Sequence, residues 1–453
     1  MMITNFAMTN FKSFASSEMM RFAPITLIFG PNSSGKSSII QALMMLKQTL
    51  EKENGQGKLE TDGESISLSN YSNIIHGQND KLPMGFDIQY TANHSAQEFK
   101  NRHSYNMPFG NDDLRTASFS YKKMNKANKH ANLNTFSFNC SDRVNFSVDI
   151  GRESSEGYLY SLKPEHNLKN AIIKNKKILS DDGKSYIEID DSLSKPFKID
   201  SKINLPKIFS HLPYETLSSS YSDQILDDLS YILKKTKYLG PLRSSPKRFY
   251  SSEINAYQKG QGKGNLGFDL YNASNITKSK IDKYLSNFSI PYEIFAKNIG
   301  DNQTGDIISI LLKDNRNDTI VTPRDVGFGI GQVLPIILEG TVSNKHLICV
   351  EQPEIHLHPR LQAHLADLFI DSAIDSQNQW IIETHSEALM LRIQRRIREK
   401  KIHQSMISVL YVDVGENGAQ VTELPLDEDG DFTVHWPDGF FEERLEEIFG
   451  NTL

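Results

Sequence analysis

One short segment constrains this chain more than any other feature. It matches the pattern G-x-x-x-x-G-K-[ST] at every position and reads Gly30-Pro31-Asn32-Ser33-Ser34-Gly35-Lys36-Ser37. An apolar run at 25–29 precedes the segment, and a helical pattern over 38–47 follows it. A strand that leads through a glycine-rich loop into a helix is the structural setting that this pattern requires. The segment therefore predicts a strand–loop–helix unit in a parallel α/β sheet.

The same segment, called the P-loop below (residues 30–37), has the chemistry of a phosphate site. Its backbone N–H groups are expected to surround the β-phosphate of a nucleotide, and the N-terminus of the following helix adds partial positive charge. Lys36 is then placed to bridge the β- and γ-phosphates, and the Ser37 hydroxyl is placed to ligate Mg²⁺. The pattern predicts that ATP is bound by the P-loop together with Ser38, the next residue.

Two further apolar runs end in polar side chains of the kind that complete such a site. The run at 346–350 is followed by Glu351 and Glu354, and a carboxylate at a strand end can hold Mg²⁺. The run that begins at Trp380 leads to His385, which can contact the γ-phosphate. A lone histidine at a strand end is commonly a core residue, so this interpretation depends on the P-loop being a true phosphate site.

A second glycine-rich turn lies between the P-loop and the apolar run at 346–350. It begins at Asp325, and Gly327, Gly329 and Gly331 alternate with other residues before Gln332. Helix N-termini attract anions, so a turn of this kind can be a second phosphate contact. A simple helix cap would explain the same residues.

Taken in order, these motifs resemble those of the OLD/RecF/SMC branch of ABC-type ATPases. Three segments, at 238–243, 351–359 and 435–442, are also similar to the defence-island ATPases that include PtuA of the Septu anti-phage system. The resemblance covers both ends of the chain, about two-thirds of it. It implies an α/β fold, namely a P-loop ABC-type ATPase head with an inserted mixed α+β domain, and it implies ATP and Mg²⁺ as cofactors.

The resemblance also implies partners. In ABC-type ATPases the signature turn of one subunit closes on the γ-phosphate bound to the other, which implies a homodimer or a higher homo-oligomer with Gly329, Gly331 and Gln332 contacting nucleotide in trans. A Septu-type ATPase implies a separate HNH-type nuclease resembling PtuB, with DNA contacted directly or through that partner. The stretch after His385 is too short for the Toprim nuclease domain of OLD-type enzymes, so we expect no nuclease site in this chain.

The pair of acids that is usual in ABC-type ATPases is incomplete here. Before Pro353 the usual Asp–Glu reads Glu351-Gln352, and an amide cannot accept a proton from water as a carboxylate can. Glu351 is expected to help hold Mg²⁺, and Glu354 remains as the nearby acid. Hydrolysis at a site formed by Gln352, Glu354 and His385 is therefore expected to be slow.

Two further assignments come from the ABC-type pattern alone. Gly331 stands where a serine is usual, which leaves the signature turn only backbone N–H groups for its contact in trans. A glutamine that senses Mg²⁺ and the γ-phosphate is expected in a loop after the first helix. Gln78 and His76 are the candidates for that position.

The texture of the 453-residue chain predicts four parts, namely an N-terminal ATPase segment at 1–80, a lysine- and asparagine-rich insertion at 81–235, a C-terminal ATPase segment at 236–425 and an acidic aromatic tail at 426–453. Two cysteines are too few for a secreted disulfide framework, and the start shows no signal-peptide pattern. We therefore expect a cytoplasmic protein that does not contact a membrane. The net charge of −6 argues against a uniformly basic surface but not against a local basic groove.

Three classes of function stay open from the sequence. The first is a defence ATPase that controls a separate nuclease. The second is a DNA-repair ATPase of the RecF or SMC sort, for which DNA-stimulated turnover without a nuclease partner would be the mark. The third is a nucleotide-gated scaffold with negligible hydrolysis.

Overall fold

The apolar runs of the sequence form strands that alternate with helices along the chain. The computed structural model describes residues 2–51, 58–91, 113–123, 130–140, 144–154, 157–164, 197–199, 221–241, 243, 247–251 and 266–437. Its strands are β1 (Met2–Phe11), β2 (Phe14–Ser16), β3 (Met20–Arg21), β4 (Ile25–Phe29), β5 (Met84–Thr91), β6 (Arg115–Lys122), β7 (Asn132–Cys140), β8 (Val144–Ser154), β9 (Gly157–Pro164), β10 (Phe197–Ile199), β11 (Thr236–Leu239), β12 (Phe249–Ser251), β13 (Tyr292–Asn298), β14 (Ile307–Asp314), β15 (Ile320–Val321), β16 (Leu347–Glu351), β17 (Gln379–Glu383), β18 (Ile407–Gly415) and β19 (Gly418–Glu423). Its helices are α1 (Lys36–Glu51), α2 (Tyr71–Ile74), α3 (Tyr221–Lys234), α4 (Leu266–Tyr271), α5 (Asn275–Asn287), α6 (Phe328–Val342), α7 (Pro359–Asp375) and α8 (Glu387–Arg398), with short 3₁₀ turns at His76–Gln78 and Gln404–Met406.

A mainly parallel sheet carries the P-loop. Its strands follow the order β11-β16-β17-β4-β18-β19, and neighbours from β11 to β18 run parallel. The strands β4, β16 and β17 are buried at every position, as is typical of central strands in a parallel sheet covered on both faces. The strand predicted at 25–29 is confirmed. The apolar runs at 346–350 and from Trp380 also form strands, with ends within one residue of those expected.

The core beside this sheet is aliphatic and aromatic. Trp380 on β17 is fully buried, and its ring centroid lies 4.6 Å from that of Phe369 on α7. Trp436, in the predicted acidic tail, packs edge-on against Phe29 and Phe432, with centroids 5.4 and 4.9 Å away. The described beginning of the tail therefore packs on its own core. Residues 438–453, the rest of that tail, lie outside the described residues.

An antiparallel sheet begins with the first strand of the chain. Its strands follow the order β10-β9-β8-β7-β6-β5-β1-β2, and β3 also pairs with β1. Buried positions alternate with more exposed ones along β5 and β6, which is the pattern of a sheet that packs one face on a core. Arg115 on β6 and Asp228 on α3 form a buried ion pair, which is costly to break because either charge would be left alone in the interior.

The chain divides into two compact units. The unit with the antiparallel sheet consists of Met1–Arg21, Ser38–Lys234 and Val414–Gln420. The unit with the parallel sheet consists of Phe22–Ser37, Lys235–Asp413 and Val421–Leu453, and it also contains a small antiparallel sheet of β12, β14, β13 and β15.

The predicted α/β class with a mixed insertion is confirmed by these sheets and helices. The division of the chain near 80, 235 and 425 stays a prediction. Much of the lysine-rich sequence of the insertion, at 124–129 and 165–196, lies outside the described residues. Within the described ranges no helix is both long enough and apolar enough to cross a membrane.

Candidate nucleotide site

The P-loop joins β4 to α1 and packs tightly against β18. Gly30 has a φ of +142°, and a Cβ built there would lie 2.0 Å from the carbonyl oxygen of Val412. Only glycine fits such a position. Ser33 and Gly35 also have positive φ values, +65° and +109°. A loop that turns in this way can direct several backbone N–H groups at one anion, and the helix N-terminus that follows supports it.

Lys36, the first residue of α1, lies inside this loop. Its Nζ donates to the carbonyl oxygens of Gly30 at 3.0 Å and Pro31 at 2.6 Å, and the residue is only 4% exposed. Burial lowers the pKa of this ammonium group, and the carboxylates of Glu383 and Glu354 oppose that shift. Because a phosphate oxygen is a stronger acceptor than a carbonyl, a bound nucleotide would replace these two contacts with charged ones.

The other P-loop residues differ in exposure. Pro31, Asn32 and Ser33 are exposed, whereas Ser34 and the following Ser38 are buried. The Oγ atom of Ser34 makes no hydrogen bond to any described residue, so it is a spare donor beneath the loop. The structure thus places the predicted loop residues in one turn between a buried strand and a helix.

Two carboxylates end neighbouring strands beside the P-loop. Glu351 ends β16, Glu383 ends β17, and the two residues occupy the same register position. Glu351 Oε1 accepts a hydrogen bond from the Tyr238 hydroxyl at 2.9 Å, and Glu383 accepts one from the Ser37 hydroxyl. Burial raises the pKa of Glu383, while the Ser37 contact and the charge of Lys36 act to lower it. The serine predicted to ligate Mg²⁺ is therefore already in contact with an acid.

Mg²⁺ fits this donor set. In nucleotide sites the ion takes hydroxyl, carboxylate, phosphate and water oxygens, and it needs only one or two carboxylates. The Oε2 atom of Glu383 is buried and has no hydrogen-bond partner among the described residues, and a hydrated cation would satisfy it. Ser37, Glu351 and Glu383 are the side chains that would hold the ion. Within the described ranges no group of three or more His, Cys, Asp or Glu side chains is placed to hold a metal ion by itself.

A hydrogen-bonded group follows the ends of β16 and β17. The Glu354 carboxylate accepts from the Thr384 hydroxyl at 2.8 Å and from the backbone N–H of His385 at 2.7 Å. Burial raises the pKa of Glu354, and these hydrogen bonds and the charge of Arg243 oppose the rise. Burial lowers the pKa of the His385 imidazole, and the charge of Lys36 lowers it further, so both favour the uncharged ring. An oriented carboxylate with a raised pKa suits a group that takes a proton from water.

Gln352 is held in place by its backbone. Its φ is +44°, its N–H donates to the carbonyl oxygen of Glu383 at 2.7 Å, and its own carbonyl accepts from Arg243 Nη2 at 2.7 Å. These contacts do not involve the side-chain amide. The backbone of this residue is therefore held by hydrogen bonds that do not involve its side chain.

The second glycine-rich turn opens α6, as predicted. Gly327 is the exposed N-cap residue and makes no side-chain capping bond. Gly329 is half-buried, and Gly331 is buried with its N–H already donated to the Gly327 carbonyl at 3.2 Å. Gln332 is 3% exposed and its side chain binds the backbone of Arg243. The structure therefore directs the Gln332 side chain into its own subunit, and the exposed first turn offers backbone groups alone.

The candidates for the Mg²⁺-sensing loop belong to the unit with the antiparallel sheet. Gln78 ends a 3₁₀ turn, is exposed and has a φ of +55°. His76 Nδ1 lies 2.9 Å from the carbonyl oxygen of Lys12. A role of Gln78 or His76 at the nucleotide stays a prediction.

Three side chains at the site carry no assignment from the sequence: Glu383, Thr384 and Tyr238. Glu383 and Thr384 immediately precede His385, and an acid that ends an apolar strand is the pattern that could have identified Glu383. Tyr238 begins the segment at 238–243, whose similarity to defence-island ATPases does not indicate a contact with Glu351.

Comparison with known proteins bears on the family. The model of the AAA ATPase domain matches residues 1–390, and comparison with curated proteins gave no match. Among solved structures, the SmcHead bound to the C-winged helix domain of ScpA is 14% identical with a TM-score of 0.46, over 94% of this chain and 98% of that one. The Smc head domain with an extended coiled coil, bound to the C-terminal domain of ScpA from Pyrococcus furiosus, is 12% identical with a TM-score of 0.46, over 98% and 99%. The SMC head domain from Thermotoga maritima is 12% identical with a TM-score of 0.37, over 94% and 100%. Because the domain model spans most of its length, the chain belongs to the AAA ATPase domain family.

Proposed function

We propose that this chain binds ATP with Mg²⁺ and hydrolyses it slowly, as a nucleotide-dependent switch in a homodimer or higher homo-oligomer. The observation that carries this proposal is the placement of Glu354, whose carboxylate is fixed by Thr384 and His385 and acts on the pKa of Lys36. An oriented, buried carboxylate near a phosphate-binding lysine is suited to orient the attacking water. His385, from the same group, would contact the γ-phosphate.

Slow hydrolysis is supported by the residue next to Glu351. Gln352 occupies the position of the usual catalytic acid, and its amide cannot take a proton from water. Glu354 is then the acid that would accept the proton from water, and its two oxygens already accept hydrogen bonds. These hydrogen bonds compete with the attacking water for the carboxylate oxygens, so a slow step is expected.

Assembly in trans is supported by the start of α6. The N–H groups of residues 328 and 329 precede the first backbone hydrogen bonds of α6, which Ile330 and Gly331 donate to the Gly327 carbonyl, and Gly327 is exposed. A phosphate bound on a second copy would be a suitable acceptor. The contact would involve residues 327–329, since Gly331 and Gln332 are buried.

We further propose that this ATPase is a cytoplasmic component of anti-phage defence of the Septu type. It would control a separate HNH-type nuclease like PtuB and reach DNA directly or through that partner. The support is the similarity of the segments at 238–243, 351–359 and 435–442 to PtuA-type ATPases. The first two segments contain Tyr238 and Glu351, and the Tyr238 hydroxyl donates a hydrogen bond to Glu351. Two of the three similar segments are therefore in contact at the nucleotide site.

The test is native mass spectrometry of the protein purified from its own operon, with ATP and Mg²⁺ and without nucleotide. We expect an ATP-dependent assembly that contains a small HNH-type protein, and Lys36→Met should lose the dependence on ATP. A homo-oligomer with no second chain, whose ATP turnover rises with DNA, would contradict the defence role and favour a RecF- or SMC-type repair ATPase. ATP-dependent assembly with no turnover would favour a nucleotide-gated scaffold.

A further inference from the structure

A buried acid without a role in the sequence pattern lies against the P-loop. Glu383 ends β17, and β17 lies between β16 and the P-loop strand β4. The residue is 4% exposed and is in register with Glu351 on one side and Ile28 on the other. Neighbouring strands are about 4.8 Å apart, so Glu383 is one strand nearer to the P-loop strand than Glu351 is.

The two oxygens of Glu383 have different surroundings. The carboxylate accepts a hydrogen bond from the Ser37 hydroxyl, whereas Oε2 is buried without a partner among the described residues. Lys36 is the nearby cation, but its Nζ donates to the carbonyl oxygens of Gly30 and Pro31. A buried carboxylate oxygen with no donor is costly, so this position calls for a cation or a bound water.

Glu351 is differently engaged. Its Oε1 accepts from the Tyr238 hydroxyl at 2.9 Å, and its carbonyl oxygen accepts from Arg243 Nη2 at 3.0 Å. Because Glu351 and Glu383 stand at the same register position on adjacent strands, two like charges lie side by side. Such a pair is destabilising unless positive charge lies beside it, and a divalent cation at Ser37 would provide that charge.

We propose that Glu383 is the carboxylate that completes the Mg²⁺ site beside Ser37. It accepts a hydrogen bond from the Ser37 hydroxyl, which leaves an Oγ lone pair free for the ion, and its second oxygen would accept a hydrogen bond from a water bound to the ion. Carboxylates that orient a metal ligand in this way strongly affect metal affinity. The inference rests on the proposed binding of ATP with Mg²⁺. It adds Glu383 on β17 as an acid that helps to hold Mg²⁺, a role for which the sequence pattern predicts only one acid, Glu351.

The experiment compares ATP affinity with and without the ion. Isothermal titration calorimetry of wild type and Glu383→Gln is carried out in Mg²⁺ and again in EDTA. We expect Glu383→Gln to weaken ATP binding about 10- to 100-fold in Mg²⁺. In EDTA the affinity should stay the same or rise slightly, because a negative charge near the phosphates is gone. Glu293→Gln, at an exposed acid on β13, makes the same charge change and should alter neither value.

A second readout reports the ion itself. Electron paramagnetic resonance of Mn²⁺ in the presence of ADP counts bound ions without any turnover, and Glu383→Gln should bind fewer than wild type. If that variant does not fold, Glu383→Asp takes its place, because the shorter side chain keeps the charge but withdraws from Ser37. Full Mg²⁺ dependence in Glu383→Asp would then overturn the proposal.

The failures can be told apart. An equal loss of ATP affinity in Mg²⁺ and in EDTA would overturn the proposal and make Glu383 a structural support of the P-loop. Unchanged affinity in both conditions would overturn it as well. A wild-type protein that binds no ATP in either condition would instead contradict the proposed function.

Discussion

Gln332 and Arg243 exchange two hydrogen bonds. The Arg243 backbone N–H donates to Gln332 Oε1 at 3.1 Å, and Gln332 Nε2 donates to the Arg243 carbonyl oxygen at 2.7 Å. The guanidinium of Arg243 in turn donates to the carbonyl oxygens of Glu351 and Gln352. Arg243 thus links helix α6 to the turn that follows β16 through hydrogen bonds to both. The helix assigned to the contact in trans and the turn that carries the acids are therefore held together.

The first prediction concerns this reciprocal pair. Gln332→Leu leaves the N–H and the carbonyl of Arg243 unpaired in the interior, which should lower the free energy of unfolding by about 1–3 kcal/mol for each group. Gln332→Glu keeps the acceptor but puts a buried carboxylate against the Arg243 carbonyl oxygen, so its loss should be large at pH 7 and should shrink at lower pH, where the protonated acid can donate again. Urea denaturation followed by tryptophan fluorescence measures both, because the two tryptophans, Trp380 and Trp436, lie in this unit. A difference in stability between Gln332→Glu and wild type that does not shrink as the pH falls would contradict the reciprocal pair.

The second prediction concerns two glycines with opposite surroundings. In Gly30→Ala the new methyl group would overlap the Val412 carbonyl oxygen, and a φ of +142° is itself unfavourable for alanine by about 1–3 kcal/mol. We expect a lower urea midpoint and a loss of ATP binding. Gly85→Ala, on β5, is the matched control, because its φ is not positive and the nearest atom to a Cβ there would be Thr9 Cβ at 3.5 Å, an ordinary van der Waals contact. Equal effects of the two substitutions on ATP affinity would show that loop geometry is not the cause.

The local sequence pattern is enough to predict the features that depend only on residues close together in the chain. Lys36 and Ser37 follow from one continuous motif, and β4 follows from its apolar run. The contacts that join distant segments were not predictable in this way: Tyr238 and Glu351 are 113 residues apart, and Arg243 and Gln332 are 89 apart. No local feature shows which acid or glutamine pairs with which partner.

Gln332 illustrates the limit of a family pattern. The pattern assigned it to nucleotide in trans, but it is the fifth residue of α6 and lies beyond the first turn. Free N–H groups occur only in the first turn of a helix, and the apolar face of α6 turns the next residues inward. The tertiary contact with Arg243 then determines where the side chain points.

The third prediction is a pH dependence of stability. Burial lowers the pKa of His346 to about 4 from an ordinary value of 6.5, and the charge of Lys237 acts in the same direction. Between pH 6.5 and 4 the unfolded chain therefore binds more protons than the folded one at this site, so the contribution of His346 to stability is lost as the pH falls through that range. His346→Gln should make the free energy of unfolding less steep between pH 6.5 and 4.5. His403→Gln, at an exposed histidine, is the control and should keep the wild-type slope; a slope unchanged in His346→Gln would contradict the assignment.

The fourth prediction concerns Gln352→Glu, which places an acid where ABC-type ATPases usually have their catalytic glutamate. The backbone of Gln352 is fixed by Glu383 and Arg243, so Gln352→Glu should place a carboxylate beside Glu351 without moving the turn. We expect the steady-state rate of ATP hydrolysis at saturating ATP and Mg²⁺ to rise about 10- to 100-fold, since a general base of this kind contributes at least that much. Saturating conditions matter, because the added charge will also weaken ATP binding.

The control for this substitution is another glutamine with the same backbone. Gln377 has a φ of +52°, close to the +44° of Gln352, and is exposed, so Gln377→Glu tests the added charge and the backbone conformation without the site. It should leave the rate unchanged. If Gln352→Glu also leaves the rate unchanged while Glu354→Gln abolishes hydrolysis, Glu354 is a fully competent base and slow turnover cannot be ascribed to Gln352. If both substitutions change the rate in the expected directions, hydrolysis in this chain is limited by the amide at position 352 and sustained by the acid at position 354.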